Sequence, residues 1–542
     1  MQVNAQAARR GGALPYKWIV ALVVIMGVFM SILDQTIVNI AIPRLQTAFG
    51  ADIHSVQWVL TAYILTQGII TPTAAYFSDR FGIKRFYIVS LAAFTLGSAL
   101  CGLAWSLPVL IFFRILQGIG GAALFPLSIT LLFREFPPQE RGMAMGFFGI
   151  PALLAPALGP TLGGYLVTYA DWQSIFYINL PIGIVGVILA SVLLREATIE
   201  ANTRFDFAGF LFAAIGLGSV LYGLSDASTD GWGSTKVISF LVGGTLALII
   251  FVILELSLAR QEKQPLLDLR LFANGPFRAS AIANVFVVFS LFGGVFLFPI
   301  YLQNLRGQSA FQAGLLLLPQ ALASMVSVLV GGRLVDRLGV RAVMIPGLLI
   351  LLFATWQLTF ITVSSPFWWL QMMLVLRGLA LGASIQPLTV AGLSQIGPRQ
   401  LAQASSLNTV TRSVSSSLGI AVLATLVQTQ SQVHYMHLAE RVTAASPLGQ
   451  ALRGFEALFA SRGMGLMQAN SAALQVISGL LRRQAYVLAL QDAFRVSAVV
   501  VVLAIIAVFF VSSGRKPARI APTDGRSVVP TEAEQRPMVF VE

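Results

Sequence analysis

The chain has 542 residues, of which 56% are hydrophobic and only 11% are charged, and its formal net charge is +13. Soluble globular proteins carry about 25% charged residues, so this composition excludes an ordinary soluble protein. It indicates a polytopic membrane protein whose helix lengths are set by the bilayer, and the single cysteine, Cys101, excludes an intramolecular disulfide.

Fourteen apolar segments follow one another along the chain. They cover residues 18–42, 54–76, 86–106, 108–133, 142–168, 172–194, 207–225, 237–258, 279–304, 311–333, 341–362, 367–392, 402–428 and 494–512. If the N-terminus lies inside the cell, Lys and Arg are concentrated in the inside connections. The short outside loops hold only Arg44, Lys236 and Arg306. This asymmetry predicts a multi-pass protein of the cell (inner) membrane with both termini cytoplasmic, and the basic charge needs no nucleic-acid partner.

An internal repeat relates the two halves of the chain. "YFSDRFGIKRFYIV" at 76–89 resembles "RLVDRLGVRAVMIP" at 333–346, and Asp79 and Asp336 are 336 − 79 = 257 residues apart. Less strongly, Arg377 echoes Arg114. Repeated halves are typical of transporters, with the substrate site between the halves near the bilayer midplane. The predicted fold is all-α, with two pseudo-symmetric six-helix halves and two inserted helices.

The predicted organisation follows from these segments. It comprises a cytoplasmic N-terminal segment (1–17), an N-terminal six-helix half (18–194), a linker with two extra transmembrane helices (195–277), a C-terminal six-helix half (278–514) with an extracytoplasmic loop (430–491), and a disordered cytoplasmic tail (515–542). Within the loop, residues 447–490 place apolar side chains at helical spacing. We expect amphipathic helices there and, if the cell has two membranes, a periplasmic adaptor protein bound to them.

Asp34 is the only charged residue of the first apolar segment. A carboxylate in the middle of a membrane helix costs about 2.5–3.5 kcal/mol on insertion scales, and such residues are functional by default. Asp34 is therefore a candidate site for exchanging a proton with a substrate; the alternative is a structural aspartate bonded to Ser31, Thr36 or another helix. Asn39 on the same helix either orients a substrate or bonds a neighbour.

Two arginines also interrupt apolar segments. Arg114 either caps carbonyl groups of a neighbouring helix or provides a fixed positive charge beside a carboxylate, because a guanidinium does not deprotonate. Arg412 either faces an anionic group or carboxylate, or is structural. His434 and His437 are spaced i, i+3, and two histidines without a carboxylate or thiolate partner nearby form a poor metal site, so none is predicted.

The fifth segment is unusually rich in helix-breaking residues. It contains "GIPALLAPALGPTLGGYL" at 149–166. Proline removes a backbone hydrogen bond and kinks a helix. The pattern indicates either a close-packing face, which membrane helices tolerate, or a hinge between two transporter states.

Four of these stretches together carry a family resemblance. "LDQTIVNIAIPRLQ", "SDRFGIKR", "RILQGIGGA" and "GPTLGG" resemble the motifs of the major facilitator superfamily, and the fourteen segments are similar to its fourteen-helix drug/proton antiporter branch. The resemblance implies that Arg114 takes part in proton coupling. It also implies an antiporter hinge and an inner gate; the hinge residues are Gly159, Pro160, Gly163 and Gly164, and the gate residues are Asp79, Arg80, Gly82, Lys84 and, in the second copy, Asp336 and Arg337.

The sequence departs from the family pattern at three places. Ala75 stands where the loop motif usually has glycine, whereas the second copy keeps Gly332, and Ile83 stands where a basic residue is expected. "DWQSIF" at 171–176 lacks an arginine that is often present. These changes predict a looser inner gate in the first half and leave the presumed central cavity untouched.

The predicted function is export by a monomeric, proton-driven antiporter. Its substrates are predicted to be hydrophobic or amphipathic, cationic drug-like compounds, moved by alternating access of the two halves. No Walker A motif and no nucleophile–base grouping stand out, so neither ATP, another cofactor nor enzymatic activity is expected. Two alternatives stay open: a dedicated transporter for a natural product, siderophore or lipid, and a membrane scaffold or sensor without transport.

Overall fold

The computed structural model describes residues 15–51, 53–196, 205–261, 263, 265–398, 400–443 and 445–511. The predicted disordered tail and most of the predicted N-terminal segment lie outside the described residues. Within the described ranges the regular secondary structure is helical throughout, so the all-α prediction is confirmed for them.

Nine helices cover the six predicted segments of the first half. They are α1 (Tyr16–Phe49), α2 (Ile53–Ile70), α3 (Thr73–Phe81), α4 (Ile83–Gly102), α5 (Leu107–Gly121), α6 (Leu124–Glu135), α7 (Arg141–Tyr169), α8 (Ser174–Tyr177) and α9 (Asn179–Leu193). The second and fourth predicted segments are each interrupted, once at Thr71–Pro72 and once after Gly121. Proline and glycine are poor residues for a helix interior, which accounts for both interruptions.

The inserted pair consists of α10 (Phe207–Asp230) and α11 (Thr235–Arg260). This pair lies against helices from both sides of the insertion. Trp58 of α2 stacks on Tyr222 of α10 with ring centroids 5.7 Å apart. In the turn between α10 and α11, Trp232 Nε1 donates to Thr425 Oγ1 at 2.9 Å, and Thr425 belongs to a helix of the second half.

The second half begins with α12 (Gly275–Ile300), α13 (Ala310–Leu338), α14 (Val340–Gln357), α15 (Phe367–Leu393) and α16 (Leu401–Glu440). One turn of π-helix, Tyr301–Leu305, extends α12 beyond Pro299. Proline has no backbone N–H to donate to the carbonyl four residues earlier. The regular helical hydrogen bonding is therefore already interrupted just before the wider turn.

The last elements include the predicted loop at 430–491, and helices are present at residues 447–490 as predicted. α16 continues to Glu440, α17 spans Pro447–Ser461, and α18 spans Leu466–Phe509. The 44 residues of α18 measure roughly 66 Å at 1.5 Å per residue, about twice the hydrocarbon thickness of a bilayer. α16 and α18 are therefore longer than a membrane crossing requires. Their extensions and α17 form a helical hairpin, which we call the outer hairpin (residues 429–493).

By length and composition, eleven helices of the described residues can cross a membrane, and two further apolar helices are shorter (Ser55–Ile70 and Gly275–Leu291). The multi-pass prediction is confirmed at this level. The count of fourteen crossings, the division into two pseudo-symmetric halves and the cytoplasmic termini stay predictions. For description, α1–α9 form the first helix set and α12–α18 the second.

Candidate functional site

Asp34 lies in a closed polar cluster inside the first helix set. Its side chain is fully buried, as is that of Arg114 in α5. Asp34 Oδ2 accepts a hydrogen bond from Arg114 Nη1 at 2.6 Å. Asp34 Oδ1 accepts from Gln117 Nε2 and from Asn179 Nδ2, each at 2.9 Å. The carboxylate thus has three donors around it, drawn from α5 and α9, and no contact with solvent.

The Arg114 guanidinium also contacts groups other than Asp34. Its Nε donates to the backbone carbonyl of Val59 at 2.9 Å, and its Nη1 also contacts Gln117 Oε1 at 2.8 Å. The guanidinium carbon lies 4.1 Å from the ring centroid of Tyr63, a cation–π distance. Its Nη2 is buried without a hydrogen-bond acceptor. Arg114 therefore joins the two roles left open above: it bonds a carbonyl group of α2 and it neutralises a carboxylate.

Asn179 ties the cluster to α4. Its Nδ2 also contacts Ser98 Oγ at 3.0 Å, and Ser98 Oγ donates to the carbonyl of Phe176 at 2.9 Å. Asn179 is the first residue of α9 and is separated from the short helix α8 only by Ile178; its side chain is fully buried where the chain turns. The amide Oδ1 of Asn179 is buried without a donor.

A row of polar side chains leads away from the ion pair along α1 and α2. Gln67 Nε2 donates to Tyr63 Oη at 2.7 Å, and Tyr63 Oη lies 3.3 Å from Ser31 Oγ. Gln35 Nε2 donates to Gln67 Oε1 at 2.9 Å. Tyr63 is fully buried, whereas Gln35 is half-buried. These hydrogen bonds connect Tyr63, whose ring lies against the Arg114 guanidinium, with Gln35 on the partly accessible face of α1.

The predicted hinge residues lie where α7 crosses α1. A Cβ added at Gly163 would lie 2.8 Å from Ile37 Cγ1, and one at Gly159 would overlap Thr36. Thr36 Oγ1 also approaches the carbonyl of Ala155 at 3.4 Å. Glycine is therefore required at these positions for α7 to approach α1, one turn beyond Asp34. Gly164 belongs to the same helix, as does Pro160; whether the stretch acts as a hinge stays a prediction.

Asp336, at the C-terminal end of α13, binds the N-terminus of α7 in the other helix set. The backbone N–H groups of Gly142 and Met143 donate to Asp336 Oδ1 and Oδ2, each at 2.8 Å. A carboxylate is favoured there because the first amides of a helix lack partners within the helix and carry the positive end of its dipole. We call this contact the α7 clasp. Nearby, Arg141 Nη1 donates to the carbonyl of Ser394 at 3.1 Å, so the two sets meet at this end of the bundle.

Both copies of the predicted gate loop share one backbone feature. Gly82 follows α3 and Gly339 follows α13, and each has φ of +89°. This left-handed region favours glycine, so the glycine of each copy is required by the turn. Glu196 contacts the turn of the first copy, at Gly82. Its carboxylate oxygens accept hydrogen bonds from the backbone N–H of Lys84 at 3.2 Å and of Arg85 at 3.3 Å.

The remaining predicted gate residues lie at the same end. Asp79 is half-buried near the end of α3, whereas Arg80 and Arg337 are exposed. Ala75, where glycine is usual, is 1% exposed in α3. Gly332, its counterpart, lies in α13 so close to Gly142 of α7 that a Cβ would overlap the Gly142 carbonyl.

Two predicted substrate residues lie away from the Asp34 cluster. Asn39 is exposed on α1, and its Nδ2 donates to the carbonyl of Gln35 at 3.2 Å. The Arg412 guanidinium of α16 lies 5.2 Å from the ring centroid of Phe125 in α6, across the two helix sets. The structure therefore brings together Asp34 and Arg114 but leaves Asn39 and Arg412 at separate positions.

The histidines of the outer hairpin require a correction. His434 Nε2 lies 2.7 Å from Asp492 Oδ2, and His437 Nδ1 lies 3.7 Å from Glu440. The premise that neither has a carboxylate nearby is wrong. α18 returns beside α16 and brings Asp492 to His434, whereas Glu440 follows His437 by three residues in α16 itself. Among the described residues, no three His, Cys, Asp or Glu side chains form a group that could hold a metal. Met464, Leu466 and Met467 are exposed at the hairpin tip, and adaptor binding stays a prediction.

Sequence reasoning missed several members of the Asp34 cluster. Gln117 follows Arg114 by three residues and so shares its helix face, a signal that was available. Asn179 and Ser98 are single polar residues in apolar runs, a weak signal. The Val59 contact uses a backbone carbonyl, which no side-chain pattern reveals.

Comparison with known proteins agrees with this architecture. The family model described as Major Facilitator Superfamily matches residues 24–420. The chain is 34% identical over 438 residues to "Multidrug resistance protein B homolog" of Mycobacterium tuberculosis, covering 80% of each chain. It is 33% identical over 412 residues to "Tetracenomycin C resistance and export protein" of Streptomyces glaucescens, covering 76% of each. A solved structure of a double-tryptophan mutant of XylE superposes with a TM-score of 0.59 at 15% identity, covering 92% of this chain and 97% of that one.

Proposed function

Because the chain belongs to the Major Facilitator Superfamily, we propose that it is a proton-driven antiporter that exports amphipathic, cationic drug-like compounds. The chain is a multi-pass membrane transporter, not an enzyme. The observation that carries the proposal is the fully buried ion pair of Asp34 and Arg114 inside the first helix set. Ionisable groups in this setting mark proton relays in transporters.

The contacts of Asp34 supply the coupling step. All three side chains bound to the carboxylate are donors. A proton added to Asp34 turns one acceptor position into a donor and removes the charge that attracts Arg114, so at least one contact is lost. The loss loosens α1 from α5 or α9. α1 is also packed against α7 through Thr36 and Ile37, so a movement of α1 is transmitted to the helix that contacts the second set.

The proposal of drug-like substrates rests on the names of the relatives, whereas the proposal of a positive charge rests on the intramembrane carboxylate of Asp34. One is named for multidrug resistance and another for resistance to and export of tetracenomycin C. The second name favours a runner-up, a dedicated exporter of one natural product. A broad substrate panel distinguishes the two, because a multidrug exporter transports chemically unrelated cations and a dedicated exporter does not.

Reconstitution into proteoliposomes tests proton coupling directly. With an imposed pH gradient and a pH-sensitive dye inside, we expect ethidium or tetraphenylphosphonium to accelerate proton movement only when the protein is present. Collapsing the gradient with a protonophore is expected to stop uphill substrate movement. Substrate accumulation that continues without any gradient would contradict proton coupling, and a protein that moves neither probe would leave the dedicated exporter as the better candidate.

We also propose that the outer hairpin faces away from the cytoplasm. Cys101 is fully buried, so the background for thiol labelling is low. Gln468 on the hairpin and Gln261 after α11 are both exposed and form a matched pair. An impermeant maleimide added to intact cells (spheroplasts if there is an outer membrane) is expected to label Gln468→Cys, and to label Gln261→Cys only after permeabilisation. Labelling of both from one side would overturn this topology.

A further inference from the structure

A second buried arginine lies in the second helix set, and it has no carboxylate partner among the described residues. Arg377 of α15 is 1% exposed. Its Nη1 donates to Thr355 Oγ1 of α14 at 2.9 Å, whereas its Nη2 is buried and finds no acceptor in the described part of the chain. A guanidinium stays charged and presents five donors. Left without an anion in a dry interior, such a group is strongly unfavourable.

Arg114 shows what Arg377 lacks. Arg114 has the carboxylate of Asp34 at 2.6 Å and the amide of Gln117 three residues further on. Three residues beyond Arg377 the chain has Ala380, which has no polar side-chain atom.

The internal repeat shows the same loss at the position of the carboxylate. "SILD" at 31–34 corresponds to "SLFG" at 290–293, which is an offset of 290 − 31 = 259 residues. The gate aspartates are 257 residues apart and the two arginines 377 − 114 = 263, so this offset falls between theirs. In this register Gly293 stands where the first copy has Asp34. The second copy thus keeps the cation and lacks both the carboxylate that neutralises Arg114 and the amide that accepts a hydrogen bond from it in the first copy.

We propose that Arg377 and Thr355 bind an anionic group between α14 and α15. Nη2 supplies one donor. The Thr355 hydroxyl, which accepts from Nη1, keeps its own proton and supplies a second donor to the same anion. The bound group is either a chloride ion or, in an arm that rests on the proposed function, the carboxylate of a transported cation that is a zwitterion, since a guanidinium beside a hydroxyl suits both. Thr355 is fully buried, so the anion exchanges when the helices of the second set separate.

The hypothesis that chloride is the bound anion is tested by thermal unfolding of the purified full-length protein in detergent. Sodium chloride and sodium methanesulfonate, whose anion is neither a halide nor a carboxylate, are compared at equal ionic strength. If chloride is the anion, we expect wild type to unfold at a higher temperature in chloride, with a saturable dependence. Arg377→Gln is expected to lose that dependence. Arg462→Gln, which changes an exposed arginine in the turn after α17, is the matched control and is expected to keep it.

The carboxylate of a transported molecule is tested in sodium methanesulfonate with rhodamine 110 and its methyl ester, rhodamine 123, two xanthylium cations that differ in one carboxylate. If the transported molecule supplies the anion, Arg377→Gln is expected to bind rhodamine 110 about ten- to a hundredfold more weakly, the loss of a hydrogen bond to a charged group. Binding of the ester is expected to stay at the wild-type value.

A second variant keeps the test decisive if Arg377→Gln does not fold. Thr355→Val removes only the hydroxyl, and it is expected to weaken the chloride or carboxylate dependence several-fold with the arginine intact. The proposal is overturned if wild-type unfolding is the same in both salts and wild type also binds the acid and its ester equally. It is equally overturned if the dependence persists unchanged in Arg377→Gln or, where that variant does not fold, in Thr355→Val.

Discussion

Asp34→Asn is expected to abolish proton-coupled transport and to destabilise the protein. The three groups around the carboxylate, Arg114 Nη1, Gln117 Nε2 and Asn179 Nδ2, are all donors. An asparagine side chain directs its own NH₂ group at one or more of them and leaves the buried Arg114 without a counter-ion. Breaking a buried pair in this way costs about 3–5 kcal/mol. Substrate-driven proton release and the midpoint of thermal unfolding measure the two effects separately.

The double variant Asp34→Asn/Arg114→Gln separates coupling from stability. It removes both charges, so no ion is left unpaired, and a neutral pair of similar size is often tolerated where an ion pair was buried. We expect the double variant to recover much of the lost thermal stability and still to release no protons when substrate is added. Proton-coupled transport by the double variant near the wild-type rate would show that Asp34 and Arg114 are only structural.

The Asp34 cluster illustrates how far the sequence predicts a membrane site. A lone carboxylate and a lone arginine in apolar segments were sufficient to predict both Asp34 and Arg114, because either charge is costly in a bilayer. Their pairing was not predictable, since the sequence does not state which helix faces meet. Asn179 joins them only because α8 and α9 turn the chain at that residue.

In the outer hairpin, by contrast, the sequence predicted helices but not that α18 continues without a break. Residues of α18 recur on one buried face at every fourth position, at Ala469, Ala473, Ile477, Leu481 and Ala485, a spacing visible in the sequence. The prediction nevertheless placed amphipathic helices at residues 447–490 and a separate apolar segment at 494–512, whereas α18 runs through both from Leu466 to Phe509. A hydropathy pattern locates where a helix leaves the membrane, whereas the helix itself ends only where capping or a helix-breaking residue ends it.

Asp336→Ala is expected to open the α7 clasp and slow transport. The variant loses two charge-assisted hydrogen bonds to the backbone of Gly142 and Met143. Each such bond contributes roughly 1.5–3 kcal/mol, and α7 also loses a negative charge at its N-terminus. A net loss of about 3 kcal/mol corresponds to about a hundredfold shift in the equilibrium between closed and separated arrangements. Substrate binding is expected to change little, because the clasp lies far along α7 from Asp34.

Val328→Cys provides the reporter for this shift. Val328 of α13 is 1% exposed and lies against Gly146 and Gly149 of α7, so a thiol there reacts only when the two helix sets separate. In the Val328→Cys background we expect Asp336→Ala to increase the labelling rate strongly and Asp336→Asn, which keeps one acceptor oxygen, to give an intermediate rate. Leu338→Ala changes an exposed residue two positions further on and is the matched control. If labelling in Asp336→Ala equals that of the control while transport proceeds at the wild-type rate, the clasp does not gate the transporter.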